Sequence, residues 1–120
     1  MKKKFSIIIP AYNCEKYIDI CIKSILTQDF RDYEIIVVDD CSNDKTYDLL
    51  KKYENVKVIR HDKNKKAGGA RNTGMNVANG EYIMFLDADD YLANSTVLTD
   101  VNKIIEEKSS PDIIYLGFQK

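Results

Sequence analysis

The sequence predicts an α/β fold in which a mostly parallel sheet is flanked by helices on both faces. Short apolar runs rich in β-branched residues alternate along the chain with segments whose apolar residues recur at helical spacing. Strands joined through helices form right-handed crossovers, and such crossovers build parallel sheets. The chain has 120 residues, of which 44% are hydrophobic, and this is enough for one hydrophobic core.

The first strand is predicted over residues 5–9, because a β-branched run there ends at Pro10. A helix is predicted over about residues 14–26, where apolar residues recur at i, i+3, i+4 and i+7. These residues are Ile18, Cys21, Ile22 and Ile25. The second strand is predicted over residues 33–38, directly before a pair of acidic residues.

A second helix is predicted to run to about residue 53, because three residues that favour helix N-caps precede it. They are Ser42, Asn43 and Asp44. A short third strand covers residues 56–60. A third helix is expected to follow the Gly68-Gly69 pair and to run to about Ala78, where Asn79-Gly80 would end it.

The fourth strand is predicted over residues 82–86 and ends in the acidic segment 87–90. Apolar residues at helical spacing predict a fourth helix over about residues 97–105, with Asn94 or Ser95 as its cap. A fifth strand is predicted over residues 112–118. Because we find no repeat and no linker-like segment, residues 1–120 are expected to form one domain or part of one.

The charge balance and the apolar runs exclude several classes of protein. Lysine and arginine number 18 against 19 aspartate and glutamate, so a protein held to nucleic acid by bulk positive charge is not expected. No apolar run is long enough to cross a bilayer, and we find no signal peptide. The three cysteines, Cys14, Cys21 and Cys41, are expected to be small buried hydrophobes. The chain is therefore expected to be soluble and cytoplasmic.

Ligands of parallel α/β sheets bind outside the carboxyl ends of the strands, so three segments are candidates for a site. They are residues 10–13, residues 39–40 and residues 87–90. In the last segment, Asp87 and Asp89 supply the oxygen ligands that Mg²⁺ and Mn²⁺ prefer. The alternative is a solvated turn with an aspartate that caps a helix.

The other candidate residues also have two interpretations each. A carboxylate of the Asp39-Asp40 pair could accept a hydrogen bond from a ligand N–H, or it could cap the next helix with Ser42. Tyr12 could stack on a planar base or pack on the neighbouring strand. The Gly68-Gly69-Ala70-Arg71 segment combines backbone freedom, a helix N-terminus and a cation, which suit a diphosphate.

Two further groups of residues carry weaker signals. The basic residues Lys63, Lys65 and Lys66 are typical of a solvated surface, and His61 is expected to be structural or exposed. The glycine pair matches neither a dinucleotide-binding fingerprint nor a P-loop. Taken together, the segments at the strand ends predict a pocket for a base, a ribose, a diphosphate and a metal ion.

Four segments in this order resemble the family 2 glycosyltransferases of the GT-A fold. The matching residues are 6–13 with Tyr17, 35–42, 69–74 and 80–90, so the resemblance covers about residues 5–92. It implies a Rossmann-like, nucleotide-binding half of a GT-A fold. The implied reaction is transfer of a sugar from a nucleotide donor, most often a UDP-sugar, to an acceptor hydroxyl with inversion, as in polysaccharide biosynthesis. One departure is Cys41, which stands where Gly, Asn or Ala is more usual.

The resemblance also implies roles for individual residues. Pro10, Ala11 and Tyr12 would line the base and ribose, and Asp40 would accept from a base N–H. Arg71 and Lys66 would face the donor, Asp87 and Ala88 would lie near the ribose, and Asp89 would hold Mg²⁺ or Mn²⁺. The residues that the resemblance places at the nucleotide or the metal ion are therefore Pro10, Ala11, Tyr12, Asp40, Lys66, Arg71, Asp87, Ala88 and Asp89.

The acceptor side of the reaction has no motif in these 120 residues. The family's general base comes from a later segment, so it is expected beyond Lys120. The chain is therefore interpreted as the donor-binding part of a longer enzyme, and these 120 residues are expected to be inactive alone. The acceptor would be a saccharide or a lipid-linked molecule. Lys2, Lys3 and Lys4 are weak support for peripheral association of the full enzyme with a membrane.

Three alternatives remain at this point. A nucleotide-binding module without transferase activity has the same motifs, since donor binding does not need the base. A receiver-type signalling domain has a similar length, but its acidic pair would follow the first strand, where this chain has Pro10 and Ala11. A nucleotidyltransferase would have a glycine-rich activating loop after that strand, and this sequence has none there.

Overall fold

The fold was obtained as a computed structural model, which describes residues 2–107 and 113–115. The elements follow one another as strand and helix along the chain. They are β1 (Phe5–Ala11), α1 (Ile18–Leu26), β2 (Tyr33–Asp39), α2 (Thr46–Leu50), β3 (Val56–Arg60), α3 (Lys66–Val77), β4 (Tyr82–Phe85), α4 (Val97–Glu107) and β5 (Ile113–Tyr115). For β5 only the strand itself is described.

The strands form one five-stranded sheet in the order β3-β2-β1-β4-β5, and every neighbouring pair is parallel. The predicted α/β fold with a mostly parallel sheet is therefore confirmed. The chain first builds the sheet outward from β1 to β3 and then returns to the other side of β1 with β4. This reversal leaves a crevice at the carboxyl ends of β1 and β4, which is where such sheets bind ligands.

The sheet is buried on both faces, as the continuous apolar runs of its strands predict. Ile7 and Ile9 of β1 lie in the larger hydrophobic cluster with α1, α2 and α4, whereas Ile8 lies in the smaller cluster with α3. In β2 the same alternation puts Val37 in the larger cluster and Val38 in the smaller one. None of the helices among the described residues is long and apolar enough to cross a membrane.

Pro10 does not end the first strand as predicted, because β1 continues to Ala11 and Pro10 lies beside Val38 of β2. The carbonyls of Lys4 and Ile8 accept hydrogen bonds from the β4 side, so even-numbered residues of β1 direct their backbone groups toward β4. At Pro10 that side has no strand neighbour, since the pairing of β1 with β4 ends at Ile8. The missing N–H of proline therefore costs no ladder hydrogen bond.

The first two helices begin later than predicted. Residues 15–17 form a turn before α1, closed by the backbone N–H groups of Tyr17 and Ile18 on the Cys14 carbonyl. Before α2, Asp44 accepts from the backbone N–H of Thr46 at 2.9 Å, so it closes an Asx turn instead of acting as an N-cap. Asn94 accepts from the N–H of Thr96 in the same way, so it also closes an Asx turn, just before α4 begins at Val97. Residue 112 and residues 116–118 of the predicted last strand lie outside the described residues.

The third helix begins earlier than predicted, at Lys66, so the two glycines lie inside its first turns. No described glycine has a positive φ, and the backbone freedom expected at Gly68-Gly69 is therefore not used. The close approach falls instead on Gly74, where a Cβ would lie 2.5 Å from Cγ2 of Ile8. Gly74 thus lets α3 pack directly on the central strand.

We expect Gly74→Ala to lower the free energy of unfolding by about 1–3 kcal/mol, because the added methyl group overpacks the contact with Ile8. Gly68→Ala in the same helix is the control, since a Cβ there meets nothing within 4 Å. Gly68→Ala should be neutral or stabilising by up to about 1 kcal/mol. Urea unfolding followed by circular dichroism measures both, and equal effects of the two substitutions would contradict this packing.

Candidate functional site

The loops after β1 and β2 are joined by hydrogen bonds at the carboxyl end of the sheet. The backbone N–H of Asn13 donates to Ser42 Oγ at 2.9 Å, and the N–H of Asn43 donates to Asn13 Oδ1 at 2.8 Å. The N–H of Asp40 donates to the Ala11 carbonyl at 2.8 Å. Asn13 has a φ of 49°, a conformation that asparagine tolerates better than most residues. The two loops therefore form one wall of the crevice.

The segment predicted to line a base and ribose lies on this wall. Pro10 is partly buried and Ala11 is buried, whereas Tyr12 is 47% exposed. An exposed tyrosine ring beside a groove can stack on a planar ligand. The structure thus places Tyr12 where the first of its two interpretations needs it, and its contact with a base stays a prediction.

Asp39 and Asp40 are both buried, but they point to opposite faces of the sheet. Asp39 follows the alternation of Val37, and its Oδ1 accepts hydrogen bonds from the backbone N–H and the hydroxyl of Ser42. Its Oδ2 lies 3.4 Å from Nε of Arg60. Asp39 therefore stabilises the loop that follows β2.

Asp40 follows the alternation of Val38 and faces α3. Its Oδ1 lies 2.8 Å from Nδ1 of His61 and accepts from the backbone N–H of Lys65 at 2.7 Å. Burial alone would raise the pKa of Asp40. Hydrogen bonds from the His61 ring and from the backbone N–H groups of Lys65 and Lys66 outweigh burial and hold this pKa below its ordinary value. Asp40 is therefore an ionised acceptor at neutral pH.

The third helix links this wall to the end of β4. Arg71 Nη2 lies 3.8 Å from Oδ1 of Asp87, and its guanidinium lies over the ring of Phe85 at 5.9 Å. Arg71 is therefore a partly exposed cation held beside the acidic segment. Lys66, the first residue of α3, is exposed, and its N–H donates to Asn64 Oδ1 at 3.0 Å. Both predicted donor-side cations thus lie on the first half of α3.

Three carboxylates form the acidic part of the site. One oxygen each of Asp87, Asp89 and Asp90 lies within 4.8 Å of the others; Asp87 and Asp89 are exposed and Asp90 is buried. The N–H of Asp90 donates to the Asp87 carbonyl at 3.0 Å, so a tight turn brings the three together, with Ala88 buried beneath them. A compact cluster of oxygen donors fits Mg²⁺ or Mn²⁺.

An open cleft of about 390 Å³ adjoins this acidic cluster. Its walls are Tyr17, Ile20 and Tyr91 together with Asp89 and Asp90. Aromatic and aliphatic surface beside carboxylates matches a ligand that has both apolar C–H faces and hydroxyl groups. The cleft therefore lies beside the carboxylates that would hold a metal ion.

Two of the three cysteines are buried, as expected, and the third is not. Burial raises the pKa of Cys14 to about 11 and that of Cys21 to about 12, so both are unreactive buried thiols. Cys41 is only partly buried, because it occupies the turn after β2 with a φ of 63°. The expectation that Cys41 is a buried hydrophobe was wrong.

Sequence reasoning missed His61 and Thr73 as parts of the site. His61 is buried between Asp40 and Thr73, and its Nε2 lies 2.7 Å from Thr73 Oγ1. Asp90 was also not singled out as a third member of the acidic cluster. Its adjacency to Asp89 was the available signal, whereas the contacts of His61 join three separate elements and leave no local pattern.

The family model described as glycosyl transferase family 2 matches residues 6–115. The poly(ribitol-phosphate) β-N-acetylglucosaminyltransferase TarS of Staphylococcus aureus is 42% identical over 113 residues, which cover 89% of this chain and 20% of TarS. The β-1,3-glucosyltransferase WfaP of Escherichia coli, named for UDP-Glc and a GlcNAc-diphosphoundecaprenol, is 40% identical, with 86% of this chain and 42% of WfaP covered. The chain thus spans less than half the length of these two relatives.

Solved structures agree with these relatives. The crystal structure of S. aureus TarS 1–349 in complex with UDP-GlcNAc has a TM-score of 0.82 and 42% identity, covering 87% of this chain and 31% of that one. A mannosyltransferase from Pyrobaculum calidifontis, solved with GDP-Man and Mn²⁺, has a TM-score of 0.80 at 23% identity, covers 88% of this chain and 33% of that one, and supports the fold alone. The chain belongs to the family 2 glycosyltransferases and has the nucleotide-binding half of their GT-A fold.

Proposed function

We propose that this chain is the donor-binding part of an inverting glycosyltransferase and that it binds a UDP-sugar together with Mg²⁺ or Mn²⁺. The observation that carries the proposal is the placement of these groups at the carboxyl end of the sheet: Asp40 follows β2, the acidic cluster follows β4, and Arg71 of α3 lies beside Asp87. The likeness to UDP-GlcNAc-bound TarS supports a uridine nucleotide.

One end of the crevice suits the nucleoside. Pro10 and Ala11 would lie against the base and ribose, with the exposed ring of Tyr12 stacked on the base. Asp40 would accept a hydrogen bond from the base N–H. A carboxylate offers about four acceptor positions, so the three donors already on Asp40, from His61, Lys65 and Lys66, leave capacity for the ligand. An ionised acceptor selects a base that presents an N–H.

The other end suits the diphosphate. Arg71 and Lys66 are the cations on α3 and would face the donor. Asp87 and Ala88 would lie near the ribose. Asp89 would hold the metal ion, with Asp87 and Asp90 beside it. When bound, the divalent ion would neutralise charge on the diphosphate leaving group. The protein itself would hold the donor in position. The Arg71 guanidinium and the backbone around the site have their positions before the donor binds.

The acceptor half of the reaction is proposed to need residues beyond Lys120, including the general base. TarS and WfaP are named for a poly(ribitol-phosphate) and a diphosphoundecaprenol-linked sugar. We therefore propose a saccharide, polyol-phosphate or lipid-linked acceptor for the full enzyme. Cytoplasmic location, with peripheral association at the inner face of a membrane, follows from an acceptor of that kind and stays part of the proposal.

Isothermal titration calorimetry tests donor binding directly. UDP, GDP and dTDP are titrated into the 120-residue chain with Mn²⁺ present and after its removal with a chelator. We expect UDP to bind more tightly than GDP, since the likeness to UDP-GlcNAc-bound TarS supports a uridine nucleotide. Removal of Mn²⁺ should weaken UDP binding. Absence of binding by all three nucleotides would overturn the proposal.

A further inference from the structure

The only histidine in the sequence lies at the base end of the proposed donor site. His61 follows β3 directly, and its backbone N–H donates to the Asp39 carbonyl at 2.9 Å. Its side chain is buried, with 6% of the residue exposed. A buried imidazole must have partners for its ring nitrogens, and the structure supplies both from other elements.

The ring nitrogens of His61 join two different parts of the site. Nδ1 lies 2.8 Å from Oδ1 of Asp40, and Nε2 lies 2.7 Å from Oγ1 of Thr73 on α3. An ionised carboxylate can only accept hydrogen bonds. Nδ1 of His61 must therefore carry the proton that it donates to Asp40. The Thr73 hydroxyl has a single proton, and its acceptors are the Gly69 carbonyl at 3.0 Å and, in the neutral imidazole, Nε2 of His61.

These contacts fix the orientation of the Asp40 carboxylate. Oδ1 receives two donors, the His61 ring and the Lys65 N–H, so rotation of the carboxylate would break both hydrogen bonds. The same imidazole holds α3 through Thr73, which is two residues from Arg71. His61 thus sits between the carboxylate at the base end and the helix that carries the diphosphate-side cation.

We propose that His61 is a positioning residue that orients Asp40 toward the imide N–H of a uracil base and so sets the preference for uridine over cytidine diphosphate. This inference rests on the proposed function of the crevice as a UDP-sugar site. Cytosine has no proton on the corresponding ring nitrogen, so a correctly oriented acceptor discriminates between the two bases. His61 acts through Asp40 and has no contact with the reacting atoms.

Two conservative substitutions separate the roles of the two ring nitrogens. His61→Asn keeps an N–H donor near the position of Nδ1, and His61→Gln keeps one near the position of Nε2. We expect His61→Gln and His61→Ala to reduce the ratio of UDP to CDP affinity about tenfold, since an oriented hydrogen bond to a charged group is lost. His61→Asn should retain the ratio to within about threefold.

Affinity for pyrophosphate with Mn²⁺ is the internal control, because it reports the diphosphate end, and it should fall less than the affinity for UDP in His61→Gln and His61→Ala. A purely structural role would lower both affinities together and leave the UDP to CDP ratio unchanged, and this outcome would overturn the inference. An equal loss of the ratio in His61→Asn and His61→Gln would overturn it as well. If the wild-type chain binds no UDP, the proposed function fails first and the inference fails with it.

Nitrogen-15 NMR tests the same inference on the wild-type chain. It needs no variant, so a variant that fails to fold does not affect the result. Because the chain has one histidine, its ring signals need no assignment among residues. We expect Nδ1 to carry a proton at neutral pH, and the Nδ1–H signal to persist when UDP binds. An Nδ1 without a proton would remove the donor to Asp40 and overturn the inference.

Discussion

Asp89→Ala should weaken Mn²⁺-dependent binding of UDP by about 10- to 100-fold, an effect comparable to that of disturbing a metal site in other proteins. Asp89 is exposed, and its carboxylate lies within 4.8 Å of those of Asp87 and Asp90. Removing one of three oxygen donors leaves a pair that holds a divalent ion less well. Calorimetry of UDP with Mn²⁺, and again after chelation, measures the metal-dependent part of the affinity.

The stability of the metal-free variant distinguishes this loss from misfolding. Asp89 is exposed, so Asp89→Ala should change the free energy of unfolding without metal by no more than about 1 kcal/mol. Asp100→Ala on α4 makes the same change of charge at an exposed position and should leave UDP binding unaltered. An unchanged Mn²⁺ dependence in Asp89→Ala, or an equal loss in both variants, would contradict the assignment of Asp89.

The sheet could be predicted from the sequence because strand periodicity is a local property. Residues 5–9, 33–38, 56–60 and 82–86 were each recognised as strands, and the ends of the observed strands differ from these by two residues or fewer. The beginnings of helices were less predictable, because they depend on turns closed by particular contacts. The Cys14 carbonyl and the Asp44 side chain close such turns, and neither contact is visible in the pattern of apolar residues.

The different roles of Asp39 and Asp40 could have been predicted from the sequence. Alternation along β2 puts Asp39 on the face of Val37 and Asp40 on the face of Val38. Once α3 is known to cover the second face, only Asp40 can meet it. The contact with His61 could not be predicted in the same way, because it joins residues 21 positions apart through the packing of two loops.

Asp40→Asn should weaken UDP binding by about 100-fold and shift the preference toward CDP, since hydrogen bonds to charged groups are among the strongest in proteins. The two donors at Oδ1, His61 Nδ1 and the Lys65 N–H, remain in the variant. These two N–H groups need an acceptor, and in the variant only the amide oxygen can accept from them. The amide NH₂ must therefore lie where Oδ2 lies in the wild type. There it would face the imide N–H of uracil, donor against donor, but it can donate to the ring nitrogen of cytosine.

The charge of Asp40 adds a pH test of the same assignment. Because its pKa is held below its ordinary value, Asp40 stays ionised throughout the mildly acidic range. The wild-type preference for UDP should therefore persist from pH 7 down to pH 5, and the comparison stops there because the ring nitrogen of cytosine takes up a proton in more acidic solution. Asp39→Asn is the matched control: Asp39 faces the Ser42 loop, so its loss should reduce stability and leave the ratio of UDP to CDP affinity intact. A ratio that falls equally in both variants would mean that the acidic pair acts only through the stability of the loop, and Asp40 would then have no part in reading the base.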